Sequence, residues 1–285
     1  MDKKSGLALI LCALIFGAGF ASNGNIALFF NLAGLLIVLG GTLGATFASF
    51  HVSRLGYVLK VVRTSYRSRM KTPEEIVEIL VDLSVKSKLR GLHTLAEDEA
   101  ETSIMFLRRA LGFVVDNYAR EHIQEILNTE MHYFRHRRDA SEQVLRVMAD
   151  ICPAIGLAGS VVGLIGMLAG VDDTSVVLAM IPIALTSTLY GVLFANFLLL
   201  PMAARVRDVT NHELLLQKII LEGILAIQTE QNPRVLEMKL KSFLTPASRE
   251  GRLVSLARIK ERFQIKEREP ENELRLAPEN LGPEL

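Results

Sequence analysis

Residues 153–166 read PAIGLAGSVVGLIG and form the centre of an apolar block, residues 151–170, that contains no Asp, Glu, Lys or Arg. Three other blocks share this property, at residues 6–21, 27–50 and 175–202. Because about 17–25 apolar residues cross the hydrocarbon core of a bilayer as a helix, the three longer blocks predict transmembrane helices directly. The sequence thus indicates an all-α integral membrane protein.

The first block is shorter, and Lys3 and Lys4 precede it, so a signal peptide is an alternative. No small-residue cleavage site leads into a polar segment, and residues 22–26 turn straight into the second block. A helical hairpin is therefore favoured. The predicted fold has four transmembrane helices and a large helical cytoplasmic loop between the second and the third.

Composition supports a membrane protein and excludes several other classes. The 285 residues are 50% hydrophobic, with a mean hydropathy of +0.30 and a net charge of +1. A nucleic-acid-binding protein usually has a basic excess, so no nucleic-acid partner is expected. The two cysteines, Cys12 and Cys152, lie in apolar blocks and are interpreted as packing residues, not a disulfide framework.

The basic residues predict the orientation, because Lys and Arg are retained on the cytoplasmic side. None of the 32 Lys and Arg residues lies in the two short connections, residues 22–26 and 171–174. Both termini and the long loop are therefore predicted to be cytoplasmic.

Five regions follow from this pattern. Residues 5–50 are predicted to hold the first two transmembrane helices, and 151–202 the third and fourth. Residues 51–150 form a cytoplasmic helical domain, with a helix start at Thr72-Pro73 and a break around residues 135–139. Residues 203–265 are predicted as cytoplasmic helices, with a restart at Asn232-Pro233, and 266–285 as a disordered tail.

Small residues recur along two of the apolar blocks. In the third they are Gly156, Gly159, Ser160, Gly163, Gly166 and Gly170, and in the fourth Ala184, Ser187, Thr188, Gly191 and Ala195. Such stripes let membrane helices approach closely, within a subunit or between subunits. Three prolines, Pro153, Pro182 and Pro201, predict either static kinks or flexible points.

The apolar blocks hold hydroxyl groups but no acid. Ion pathways through a bilayer usually rely on ionisable groups, whereas Ser160, Thr186, Ser187 and Thr188 offer only hydroxyls, which can ligate a cation or hold water. If the protein conducts protons, a second chain must supply the titrating group.

Four segments together resemble the MotA-type stator subunits of the bacterial flagellar motor, within the MotA/TolQ/ExbB superfamily. They are residues 37–45 (IVLGGTLGA), 153–165 (PAIGLAGSVVGLI), 188–196 (TLYGVLFAN) with Pro201, and 221–227 (LEGILAI) with residues 232–234 (NPR). The resemblance covers about residues 5–250.

The resemblance implies a motility function in which ion flow across the bacterial inner membrane drives torque on the rotor switch protein. Five copies of this chain would surround two single-span MotB-like subunits, whose transmembrane Asp would bind the ion. No cofactor is implied, only a translocated proton or sodium ion, with the proton favoured.

The resemblance also implies site residues. Ser160, Ser187 and Thr188 are assigned to the ion pathway, and Pro153 and Pro201 to coupling. Lys88, Arg90 and Glu97 are assigned to rotor contact, although Ala96 stands where the family usually has Glu. For Pro182 the resemblance implies no role.

Three alternatives remain. An ExbB or TolQ type channel would usually have one span before its large loop, whereas two are predicted here. A membrane scaffold without ion flow would tolerate loss of the hydroxyls at Ser160 and Thr188. An enzyme is not expected, since His132 and His136 lack a general base beside them and no other catalytic motif is present.

Overall fold

The computed structural model describes residues 29–67 and 71–246, together with positions 11, 14, 15, 17–19 and 22. No β-strand occurs among these residues, so the all-α class is confirmed. Three helical regions are long and apolar enough to cross a membrane: Leu32–Ser49, Arg120–Ala169 and Thr174–Gln228. Most of the predicted first span lies outside the described residues, as does the predicted tail at 266–285.

The helices follow the apolar blocks and the capping residues. They are α1 (Leu32–Ser49), α2 (Val52–Arg67), α3 (Pro73–Arg90), α4 (Leu95–Glu101), α5 (Met105–Val115), α6 (Arg120–Ala169), α7 (Thr174–Leu193), α8 (Leu200–Gln228) and α9 (Pro233–Lys241). A 3₁₀ turn, Leu92–Thr94, precedes α4, and a π-helical segment, Phe194–Leu199, joins α7 to α8.

The predicted helix starts at Thr72 and Asn232 are confirmed. The Thr72 hydroxyl accepts a hydrogen bond from the Glu75 amide at 3.3 Å, and the Asn232 side chain accepts one from the Arg234 amide at 3.0 Å. Each cap is followed by proline in the first turn, where its missing donor costs nothing.

The predicted break at residues 135–139 is wrong, because α6 is continuous from Arg120 to Ala169. The polar run that suggested a break is instead compatible with a solvated helix face, on which Arg135 pairs with Asp139 one turn later at 3.5 Å. Arg138, in the same run, is 8% exposed and faces neighbouring helices.

The second apolar block begins at residue 27, but α1 begins only at Leu32. Asn31 is its N-cap, accepting a hydrogen bond from the Gly34 amide at 2.9 Å. The Tyr190 hydroxyl accepts from the Asn31 amide at 2.8 Å and donates to the Phe29 carbonyl at 2.5 Å. Tyr190 therefore satisfies backbone groups that an apolar surrounding would otherwise leave unpaired.

The chain divides into two compact units. The first comprises Met1–Lys71 and Glu125–Lys218, and its apolar core joins α1, α2, α6 and the helical run from α7 to α8. The second comprises Thr72–Gln124 and Ile219–Leu285. In it α9 packs on α3, and Gly223 of α8 lies against Leu80, where an added Cβ would come within 2.7 Å of a Leu80 methyl carbon.

Candidate ion-pathway site

The hydroxyls of Ser160 on α6 and Thr188 on α7 meet in a direct hydrogen bond. The Ser160 hydroxyl also contacts the carbonyl oxygen of Ala184, and it lies 3.3 Å from that of Gly156. Both hydroxyl residues are half-buried. Four neutral oxygens therefore converge at one point between two of the membrane-spanning helices.

The small-residue stripes bring these oxygens together. A Cβ on Gly156 would lie 2.8 Å from the Ser187 carbonyl oxygen, and one on Gly163 would lie 2.7 Å from the Ala184 nitrogen. A Cβ on Gly191 would lie 2.8 Å from the Cys152 carbonyl oxygen. The prediction that these stripes serve helix packing is confirmed for contacts within one subunit.

The chemistry of this cluster is limited to neutral oxygen. Hydroxyls and carbonyls can replace part of the water shell of a small cation or hold a water chain. They cannot take up and release a proton near neutral pH, and none of the four apolar blocks contains an acid. In the described part of the chain, no group of three or more His, Cys, Asp or Glu residues could hold a metal ion.

Ser187 lies apart from the Ser160–Thr188 pair. It is fully buried, and its hydroxyl donates to the Ile183 carbonyl at 2.7 Å. A Cβ on Gly159 would lie 2.8 Å from the Ser187 Cβ, and one on Gly34 would lie 3.0 Å from its Oγ. These contacts make Ser187 a packing residue between three helices, and its place in an ion pathway stays a prediction.

The prolines flank the hydroxyl pair along the helices. Pro153 lies inside α6, seven residues or about 10 Å before Ser160. Pro182 lies inside α7, and its carbonyl accepts the Thr186 hydroxyl at 2.7 Å. Pro201 lies in the first turn of α8, directly after the π-helical segment.

The π-helical segment was not predicted, although the sequence carries a signal for it. Buried residues recur at intervals of four, at Ser187, Gly191, Ala195, Leu199 and Ala203. An α-helix of 3.6 residues per turn would rotate this stripe by about 40° at each step. The wider π-helical turn takes up part of that drift, and the Asn196 side chain donates to the Val192 carbonyl at 2.9 Å beside it.

The residues assigned to rotor contact lie in the second unit, where α3 ends. Lys88 and Arg90 are exposed in the last turn of α3, and Gly91 turns the chain with φ +88°. Glu97 is 81% exposed on α4, but it lies 3.4 Å from Lys86. Two exposed basic side chains thus lie at the end of α3, and an exposed acidic one lies on the neighbouring α4.

Lys86 organises this corner and was missed in the sequence. Its ammonium lies 2.7 Å from the Asp98 carboxylate, and only 14% of its side chain is exposed. The hydrogen bond to Asp98 is the main reason why the pKa of Lys86 is raised above 10.5, and burial opposes it. Its position twelve residues before Asp98, across a turn, left no local signal for the pair.

Comparisons with known proteins agree with this architecture. Residues 98–218 match the MotA/TolQ/ExbB proton channel family. Motility protein A of Treponema phagedenis is 32% identical over 86% of this chain and 95% of its own length. Motility protein A of Borreliella burgdorferi is 29% identical, over 83% of this chain and 91% of its own length.

A solved structure of the C. jejuni MotAB complex superposes with a TM-score of 0.80 and 25% identity, over 90% of this chain and all of that chain. The match extends beyond the hydroxyl cluster to nearly the whole architecture. The chain belongs to the MotA/TolQ/ExbB proton channel family, as a MotA-type stator subunit of the flagellar motor.

Proposed function

We propose that this chain couples proton flow across the bacterial inner membrane to torque on the flagellar rotor. The observation that carries the proposal is the Ser160–Thr188 hydroxyl pair, which lies between two apolar blocks, residues 151–170 and 175–202, that contain no acid. A single-span subunit of the MotB type, with one transmembrane Asp, would supply the group that binds and releases the ion. No enzymatic activity and no cofactor belong to this function.

The assembly we propose has five copies of this chain around two copies of the single-span subunit. Each copy has four spans with both termini in the cytoplasm, as the Lys and Arg distribution favours. Exposed apolar side chains along α6, such as Leu157, Ile165 and Leu168, support contact with lipid or with neighbouring subunits. The similarity to the solved C. jejuni MotAB structure supports a partner of this type.

The proton is proposed over sodium because the two hydroxyls are already hydrogen-bonded to each other. The Ser160 hydroxyl bonds the Thr188 hydroxyl and the Ala184 carbonyl, so a sodium ion would have to separate these groups before they could ligate it. A proton carried by water needs only one of these oxygens, as a hydrogen-bond acceptor for that water. Motility should therefore continue without sodium and stop when a protonophore collapses the proton gradient.

Lys88 and Arg90 are proposed to contact an acidic surface of the rotor, because both are exposed and positively charged. Glu97 is proposed as a weaker contributor, since Lys86 shares its charge. Charges of this kind guide docking and contribute modestly to its energy.

The proposal is tested by complementing a strain that lacks this gene. Thr188→Ala should reduce swimming speed at least tenfold, because it removes one of the two contacting hydroxyls. Thr186→Ala is the matched control, since that hydroxyl is bonded to the Pro182 carbonyl of its own helix. Equal motility of the two variants would reject the ion-pathway role, and normal motility without the gene would reject the motor function.

A further inference from the structure

Arg138 is a buried arginine that the sequence analysis assigned no role. Only 8% of it is exposed, and its guanidinium donates to the Glu213 carboxylate of α8 at 3.1 Å. It also donates to the Ser65 hydroxyl of α2 at 3.4 Å and lies 5.1 Å from the centre of the Phe134 ring. One side chain of α6 thus joins three helices of the first unit.

Each partner lies close in sequence to a point where the chain passes between its two units. The unit boundaries fall after Lys71, before Glu125 and after Lys218. Ser65 precedes the first boundary by six residues, Arg138 follows the second by 13, and Glu213 precedes the third by five. The three helices that Arg138 joins are therefore the three helices through which the chain enters or leaves the second unit.

Two of these helices, α6 and α8, lead along the chain to the hydroxyl pair. Ser160 lies 22 residues after Arg138 on α6, about 33 Å along the axis, with Pro153 between them. Thr188 and Glu213 are likewise separated along the chain by the π-helical segment and Pro201. A movement at the hydroxyl pair must pass these prolines and the π-helical segment before it reaches the second unit.

Apolar packing alone does not hold such helices in one register, because the hydrophobic effect has no direction. The core between α6 and α8 is apolar, with Val144, Ala149, Ala203 and Val206 among its members. A buried, hydrogen-bonded ion pair adds little net stability over apolar residues, and its best attested use is to specify register. The Ser65 hydroxyl is itself fixed, donating to the Val61 carbonyl at 2.9 Å.

We propose that Arg138 is a positioning residue for energy coupling, which locks α2, α6 and α8 so that they transmit movement as one body. This inference rests on the proposed function. Without the lock, ions would still pass the hydroxyl pair, but less of the movement would reach the second unit.

The test uses the stator complex of this chain with its single-span partner, and it measures three quantities. They are the amount of assembled complex in the membrane, ion uptake into membrane vesicles, and torque on tethered cells. The first variant is Arg138→Met with Glu213→Leu, which replaces the ion pair by apolar side chains and leaves no unpaired buried charge. We expect assembly and uptake within about twofold of the wild type and torque reduced at least fivefold.

The charge-swapped variant, Arg138→Glu with Glu213→Arg, should recover at least half of the torque, because it restores a directional pair. The matched control is Arg207→Ala, which removes a second contact between α6 and α8. Arg207 lies 3.9 Å from Glu142 and is 63% exposed, so its loss should leave torque unchanged.

Wild-type torque in the apolar double variant would overturn the inference. A loss of torque that matches the loss of assembled complex would also overturn it, since the ion pair would then serve only to stabilise the protein. Either result leaves the Thr188→Ala comparison intact, so a failure of this inference is distinct from a failure of the proposed function.

Discussion

Gly163 has no space for a methyl group, because an added Cβ would lie 2.7 Å from the backbone nitrogen of Ala184 and 2.8 Å from its Cα. Backbone atoms cannot move aside as a flexible side chain can. Gly163→Ala should therefore push α6 away from α7 and destabilise the protein by about 1–3 kcal/mol. The measurement is thermal unfolding of the purified complex, together with its level in the membrane.

Gly40 is the control for this change, since an added Cβ there meets nothing within 4 Å. Gly40→Ala should leave stability unchanged or raise it slightly, because alanine is the better helix former. If both variants unfold at the same temperature, the close approach of α6 and α7 is not what holds the hydroxyl pair.

Lys86 should give a stability contribution that depends on pH. Its pKa is raised in the folded protein, chiefly by the hydrogen bond to Asp98. The contribution is therefore complete below the unfolded pKa of about 10.4 and is lost as pH rises through the higher folded value. Because water reaches the carboxylates of Asp98 and Glu97, whose side chains are 29% and 81% exposed, we expect Lys86→Met to cost no more than about 1 kcal/mol at pH 8.

Two measurements test this contribution to stability: hydrogen exchange of the α4 amides at pH 8, and thermal unfolding of wild type and Lys86→Met between pH 8 and 11. The difference in stability between wild type and Lys86→Met (the stability gap) should stay constant to about pH 10 and then narrow. Lys88→Met, two residues along α3 and exposed, should show no gap. A gap that widens above pH 10 would contradict the assigned direction.

Individual hydroxyls show how far a sequence can specify a site. Thr186, Ser187 and Thr188 are consecutive, and on a helix they point in directions about 100° apart. The sequence identifies all three as hydroxyls within one apolar block, but it does not determine which of them contacts Ser160, because the rotation of α7 depends on its contacts with α6 and α1. The structure selects Thr188 and leaves Ser187 bonded to its own helix.

Helices as whole elements were more predictable than their details. Apolar length located the described spans, and capping residues located α3 and α9, because both signals are local. The continuity of α6 and the π-helical segment were missed, since each depends on which face packs against distant residues. The four-residue spacing of buried side chains from Ser187 to Ala203 was the available signal.

The π-helical segment should contain one residue more than an α-helix needs to keep these buried side chains on one face. Deletion of Leu198, which is 49% exposed, would let residues 194–199 become α-helical while the same faces stay buried on both sides. We expect the variant to insert and unfold within about 1 kcal/mol of the wild type. Thermal unfolding and membrane level are the measurements.

Deletion of Leu185 provides the comparison, because it is also exposed, at 69%, but lies in regular α-helix. Its loss would rotate the following residues by about 100° and place buried small residues on the wrong face. We expect it to abolish stable insertion. Equal damage from both deletions would mean that the π-helical turn does not set the register of this helix.

For the whole molecule, the proposed topology predicts which positions a membrane-impermeant maleimide can reach. Asp172→Cys probes the short connection before α7, and it spares Asp173, whose side chain accepts a hydrogen bond from the Ser175 amide at 2.9 Å. Thr229→Cys probes the end of α8, where residue 229 is exposed. Replacing Cys12 by Ser leaves only Cys152, which is 1% exposed and beyond the reagent.

In spheroplasts the reagent should modify Asp172→Cys at once and Thr229→Cys only after permeabilisation. The physical reason is the absence of Lys and Arg from the 171–174 connection and their abundance after residue 202, which favours retention of that end in the cytoplasm. Ser103→Cys, exposed between α4 and α5, should behave like Thr229→Cys. Rapid modification of either cytoplasmic probe in sealed cells would reverse the orientation and, with it, the direction of ion flow past Ser160 and Thr188.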